Sequence, residues 1–95
     1  MKKPFNQFQE IDQLIIEIGS DISSEKWSEA KSQTESLEVE WKRIVPKIQF
    51  SSERDNITSI TRNIARLKGA IDAKDKSGAL QEISEAKSNW QDIGK

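Results

Sequence analysis

Residues 8–22, FQEIDQLIIEIGSDI, decide the fold. Phe8, Ile11, Ile15, Ile18 and Ile22 recur at spacings of three, four, three and four. That alternation puts all five on one stripe of a helix, which must be covered by partners. The pattern returns three times. Trp27, Ala30, Thr34, Leu37, Trp41 and Ile44 form a second series, and Ile57, Ile60, Ile64, Leu67 and Ile71 a third. Ala79, Ile83, Ala86, Trp90 and Ile93 form the fourth. No stretch alternates with period two for long enough to make a strand.

The breaks between the series carry helix-end chemistry. Ser23 or Ser24, ahead of Glu25, is expected to cap the second helix, and Ser51 or Ser52 the third. Asp75 or Ser77 is expected to cap the fourth, and Pro46 to interrupt the second near its end, with a short continuation through Ile48 and Phe50. Short connections make consecutive helices antiparallel neighbours. The expected fold class is all-α: one domain over residues 1–95, an antiparallel four-helix bundle of two similar hairpins, about 5–46 and 52–94.

The halves match each other. A shift of 49 positions sets Ile11 on Ile60, Ile15 on Ile64, Ile22 on Ile71, Ala30 on Ala79, Trp41 on Trp90 and Ile44 on Ile93. Heptad periodicity alone would not bring both alanine and tryptophan into register, so the reading is a duplicated hairpin. A lone hairpin cannot cover its own stripe, so the two must pack together. Gly19 and Gly69 fall inside predicted helices, where each costs about 1 kcal/mol relative to Ala; a close helix crossing at each is the expected reason.

Composition allows this fold. Of 95 residues, 34% are apolar and 33% charged, but 15 Lys and Arg against 16 Asp and Glu leave a net charge of −1. Disordered chains combine low hydrophobicity with high net charge, and the second half is missing here. Burying an Ile, Leu or Trp stabilises by about 1.5–3 kcal/mol. An exposed pair such as Glu38–Lys42 adds only about 0.2–0.5 kcal/mol.

Reactive residue types are scarce. There is no Cys and no His, so thiolate nucleophiles, Ser-His-Asp triads and Glu-x-x-His di-iron sites cannot be assembled. No calcium-loop motif occurs, and Met1 alone would be left to ligate haem. The sequence therefore points to no catalytic residue, no metal and no cofactor, and to a protein that is not an enzyme. Glu35 with Glu38, and Glu82 with Glu85, have helical i,i+3 spacing but flank the stripe on its solvent side. Lys74-Asp75-Lys76-Ser77-Gly78 reads as a turn between helices, not a phosphate cradle.

Two groups of residues are candidates for binding. Arg54, Arg62 and Arg66 fall at multiples of four along the third helix, a candidate partner surface. Residues 1–45 hold 6 basic and 9 acidic groups and residues 46–95 hold 9 and 7, so the arginines are expected to pair with the acidic first half. Three arginines without a dense basic patch argue against nucleic-acid binding. Trp27, Trp41 and Trp90 are candidate cavity walls between the hairpins for an apolar ligand, weighed against simple core packing around small alanines. Thr34, polar on the stripe, is expected to bond the carbonyl one turn back.

The segment Lys26-Trp27-Ser28-Glu29-Ala30-Lys31, the turn from Leu37 to Trp41-Lys42, and the stretch from Ile57 through Arg66-Leu67 and Ile71-Asp72-Ala73-Lys74-Asp75-Lys76 to Ala79-Leu80 resemble a bacterial family, domain-of-unknown-function family 4363. The resemblance covers roughly residues 11–93. It implies a helical protein displayed outside the cytoplasmic membrane, tethered or secreted, acting on a protein partner, with no catalytic residues to carry over. Such relatives bear an N-terminal signal or lipoprotein-like anchor, whereas nothing apolar precedes Pro4, and Ser-Ser-Glu-Arg at 51–54 stands where relatives often carry a His. The chain as given is expected to be soluble, any anchor having been removed upstream of Met1. Exchange of hairpins between chains would give a homodimer.

Overall fold

A computed structural model describes residues 6–48 and 54–93. Four helices follow in order: α1 (Asn6–Ser23), α2 (Trp27–Ile48), α3 (Arg54–Asp72) and α4 (Lys76–Ile93), with no strand among the described residues. Helices α1 and α2 pack as one hairpin and α3 and α4 as the other. Contacts of α2 with α3 and of α1 with α4 close the square, so the all-α four-helix bundle expected from the periodicity is the fold observed.

Both hairpins turn in the same way. Glu25 has φ 58° and Lys74 φ 55°, the left-handed conformation that ends a helix. At the first turn, Glu25 N–H donates to the Ile22 carbonyl (2.9 Å) and Lys26 N–H to that of Asp21 (2.8 Å). At the second, Lys74 N–H donates to Ile71 (3.0 Å) and Asp75 N–H to Ala70 (2.8 Å). These are paired six-to-one and five-to-two bonds of a Schellman motif. The two turns lie 49 residues apart, the same shift that aligns the stripes.

The caps differ from expectation at the first turn. Ser23 ends α1 and Ser24 lies in the turn, because the left-handed residue is needed to satisfy α1's last carbonyls before α2 can start. Lys26 takes the capping position, its carbonyl accepting from Ala30 N–H at 2.9 Å. In the second hairpin Asp75 is the cap, as expected: its Oδ1 accepts from Gly78 N–H at 3.0 Å. A Cβ on Gly78 would run into that carboxylate. Ser51 and Ser52, the expected caps of α3, and Phe50 lie outside the described residues.

Pro46 does not interrupt α2, which continues to Ile48. Near a helix end the missing donor costs one bond with the Lys42 carbonyl and leaves the turns before it intact. The glycines also depart from expectation: a Cβ at Gly19 or Gly69 would meet nothing within 4 Å, so neither marks a close crossing.

The core is the four stripes. Ile18, Ile22, Ala30, Ile44 and Ala79 are fully covered, with Ile11, Ile15, Leu37, Ile60, Ile64, Leu67, Ile71, Ile83 and Ala86 nearly so. Thr34 is buried among them and donates to the Ala30 carbonyl at 2.7 Å, as anticipated. One buried polar group was not anticipated. Asn63, facing α4, donates through Nδ2 to Glu82 Oε1 (2.9 Å) and Glu85 Oε1 (3.1 Å) and accepts from Asn89 Nδ2 (3.2 Å). Asn56 donates in turn to Asn89 Oδ1 at 3.2 Å, forming a polar ladder along the α3–α4 contact. Glu82 is consequently half-buried rather than on an open face.

Candidate functional site

The three tryptophans do not line one wall. Trp41 and Trp90 are core residues, 3% and 7% exposed, and meet edge to face with centroids 6.1 Å apart. Phe8, in the first turn of α1, stacks on Trp90 at 5.4 Å with 26° between the planes. Trp27 opens α2 fourteen residues before Trp41, about 21 Å away at ~1.5 Å per residue, and is only partly covered.

Each member of the aromatic pair instead borders its own hollow on a seam between hairpins. On the α2–α3 seam, Trp41, Val45, Pro46 and Ile64 surround about 250 Å³ rimmed by Glu38, Lys42 and Thr61. Trp41 Nε1 donates to Thr61 Oγ1 at 2.9 Å, and that hydroxyl donates to the Ile57 carbonyl at 3.0 Å, so the indole is tethered. On the α4–α1 seam, Phe8, Asp12, Trp90 and Ile93 border about 340 Å³. Toward the hairpin turns, the same seam opens into a longer groove of about 640 Å³. Its floor is Ile15 and Ile83, its walls carry Ile16, Gly19, Leu80 and Ser84, and Lys87 stands at one end.

Arg54, Arg62 and Arg66 are all exposed on α3 and form no ion pair with any described carboxylate. The expected pairing with the acidic first half is made by lysines instead. Lys68 Nζ lies 3.0 Å from Glu38 and Lys76 Nζ 3.4 Å from Glu25, while a third pair runs the other way, Lys31 Nζ of the first half 3.6 Å from Asp72 of the second. Lys68 reaches across to α2, whereas the three arginine side chains stay exposed to solvent. Glu35 is exposed, and Glu38 takes both Lys68 and, at 4.0 Å, Lys42.

Among the described residues one carboxyl is perturbed. Partial burial in the last turn of α1 raises Asp21 above its ordinary value; Glu29 and Glu17 push the same way, and Lys26 opposes them. Among the described residues no group of His, Cys, Asp and Glu is placed to hold a metal ion. No helix among them is long and apolar enough to cross a membrane.

Sequence reasoning missed the α1–α4 groove and the asparagine ladder. The signals were apolar residues beside the stripe instead of on it: Ile16 next to Ile15, and Leu80 next to Ala79. For the ladder, the signal was Asn63 three residues after Ile60.

No curated protein and no solved structure matches the chain. A family described as "Domain of unknown function (DUF4363)" matches residues 5–95, a wider span than the 11–93 of the resemblance. A match over that length, on a chain whose carrying motifs fall on the hairpin turns and the buried stripes, shows that the chain belongs to the DUF4363 family.

Proposed function

We propose that this protein is a non-catalytic helical-bundle module that binds a protein partner. The observation that carries the reading is the open groove between α1 and α4, on whose wall Ile16 stays 49% exposed. The absence of Cys and His from the sequence supports a binding role over a catalytic one. Placement in the bacterial cell envelope, outside the cytoplasmic membrane, rests on the family likeness. The test is crosslinking and affinity recovery from the envelope of the parent bacterium. A reproducible partner is expected, and failure to recover one overturns the reading.

A second reading has its own observation. The Trp41 hollow lies between the hairpins and is mostly apolar, which fits a small apolar ligand carried there. Tryptophan fluorescence and thermal shift across a lipid and metabolite panel test it; a flat response removes it. Nucleic-acid binding is not part of the proposal, and elution from heparin at low salt is the expected result.

A further inference from the structure

Because the bundle is a duplicated hairpin, each seam between hairpins is an internal control for the other. The 49-residue shift carries α2–α3 onto α4–α1. On the first seam, two ion pairs bridge the helices, Lys68–Glu38 at 3.0 Å and Lys31–Asp72 at 3.6 Å. The positions equivalent to Lys68 and Glu38 are Gly19 and Lys87, and those equivalent to Lys31 and Asp72 are Leu80 and Ser23. Both bridges are therefore missing from the second seam, which opens into about 640 Å³ where the first, between Lys31, Lys68 and Asp72, leaves about 30 Å³. Exposed Ile16 stands where the closed seam has Ala65. A side chain at Gly19 would meet nothing within 4 Å. The folded chain gains nothing from a glycine there, since it has neither a positive φ nor a close neighbour.

We infer that the α1–α4 groove receives a short amphipathic helix of a partner protein, with an acidic residue placed to reach Lys87. This rests on the interaction-module reading above. The apolar floor and Ile16 and Leu80 suit the apolar face of a helix laid in a groove. Lys87 is the one charged residue lining it and forms no ion pair among the described residues, so the complementary charge is a carboxylate. Length decides between a helix and a second copy of the chain. The lining runs from Ile15 to Ser23 on one wall and from Ser77 to Lys87 on the other, about 12–15 Å at ~1.5 Å per residue, or two to three turns. A stable dimer needs about 800 Å² per partner, more than so short a groove supplies.

The test places a photoreactive phenylalanine analogue at Ile16, at Ala65 or at Val39 of the full chain, produced in the organism that encodes it. Adducts are mapped by mass spectrometry. Position 16 is expected to mark one segment with an amphipathic helical pattern and an Asp or Glu at one end, and position 65 none. Gly19→Lys with Lys87→Glu installs across the open seam the pair that closes the other. It should lower the adduct yield at least tenfold with an unchanged circular dichroism spectrum, and Ile16→Asp, at an exposed position, should abolish binding in the chain labelled at Leu80. A mapped segment without that pattern, equal adducts from position 65, or a yield indifferent to both variants overturns the inference. Adducts from positions 39 or 65 alone would sink the groove and leave the module reading standing; none from any position would sink both.

Discussion

The indole nitrogen of Trp41 lies 2.9 Å from Thr61 Oγ1, a hydrogen bond that fastens the first hairpin to the second. Because Trp41 is 3% exposed, an unpaired indole donor there finds little water. Thr61→Val should destabilise by about 1–2 kcal/mol. Trp41→Phe should cost a similar amount, and the double variant less than their sum. Urea unfolding of all four proteins checks this; full additivity would mean that the bond does not couple the hairpins.

Gly19 and Gly69 sit in helix interiors where a Cβ meets nothing within 4 Å. Gly19→Ala and Gly69→Ala should each stabilise by about 0.5–1 kcal/mol. In a domain of this size that is a rise in Tm of about 2–8 °C per substitution. A fall in Tm for either would show a packing demand on that glycine.

The opposite exchange applies at the hairpin turns. Glu25 and Lys74 hold φ of 58° and 55°, where a side chain is strained and glycine is not. Lys74→Gly should stabilise by about 0.5–1 kcal/mol. Glu25→Gly should gain slightly less, since it also removes the exposed ion pair with Lys76. Thermal melts in low and high salt would separate the two contributions.

Asp21 gives the bundle a pH dependence of definite sign. Its carboxyl titrates higher in the folded chain than in the unfolded one, chiefly through burial and then through Glu29. The folded state therefore favours the protonated form. Its contribution to stability is complete below the ordinary aspartate value of about 3.9 and is lost as pH rises through the raised value. Asp21→Asn should raise Tm at pH 7, with the gain shrinking as pH falls through the raised value and gone below about 3.9. A gain independent of pH would trace instead to something other than the charge. A negative group near the C-terminal end of α1 is also disfavoured by the helix dipole, which has the same sign.

Much of the fold was legible because burial leaves a periodic trace. The stripes predicted from Ile11 to Ile22 and from Ile60 to Ile71 are the buried faces observed, and Thr34 bonds Ala30 as its position required. Helix ends were less legible. A serine before an acidic residue reads as a cap, yet the backbone of Glu25 had to turn left-handed first, and a non-glycine residue gives no sign of that. Pro46 misled for a related reason: its effect depends on how many turns remain after it. For the candidate site, the sequence supplied the tryptophans but not their distances, and about 21 Å of helix (at ~1.5 Å per residue) separates Trp27 from Trp41. The groove was hidden because it is defined by what two helices fail to place opposite each other. No single helix carries that information.

Phe8 and Trp90, stacked at 5.4 Å, belong to the first turn of α1 and the last turns of α4. The bundle therefore receives and releases its chain at one pole, with both three-residue turns at the other. The described start of α1 and end of α4 thus lie side by side, opposite the left-handed turns at Glu25 and Lys74.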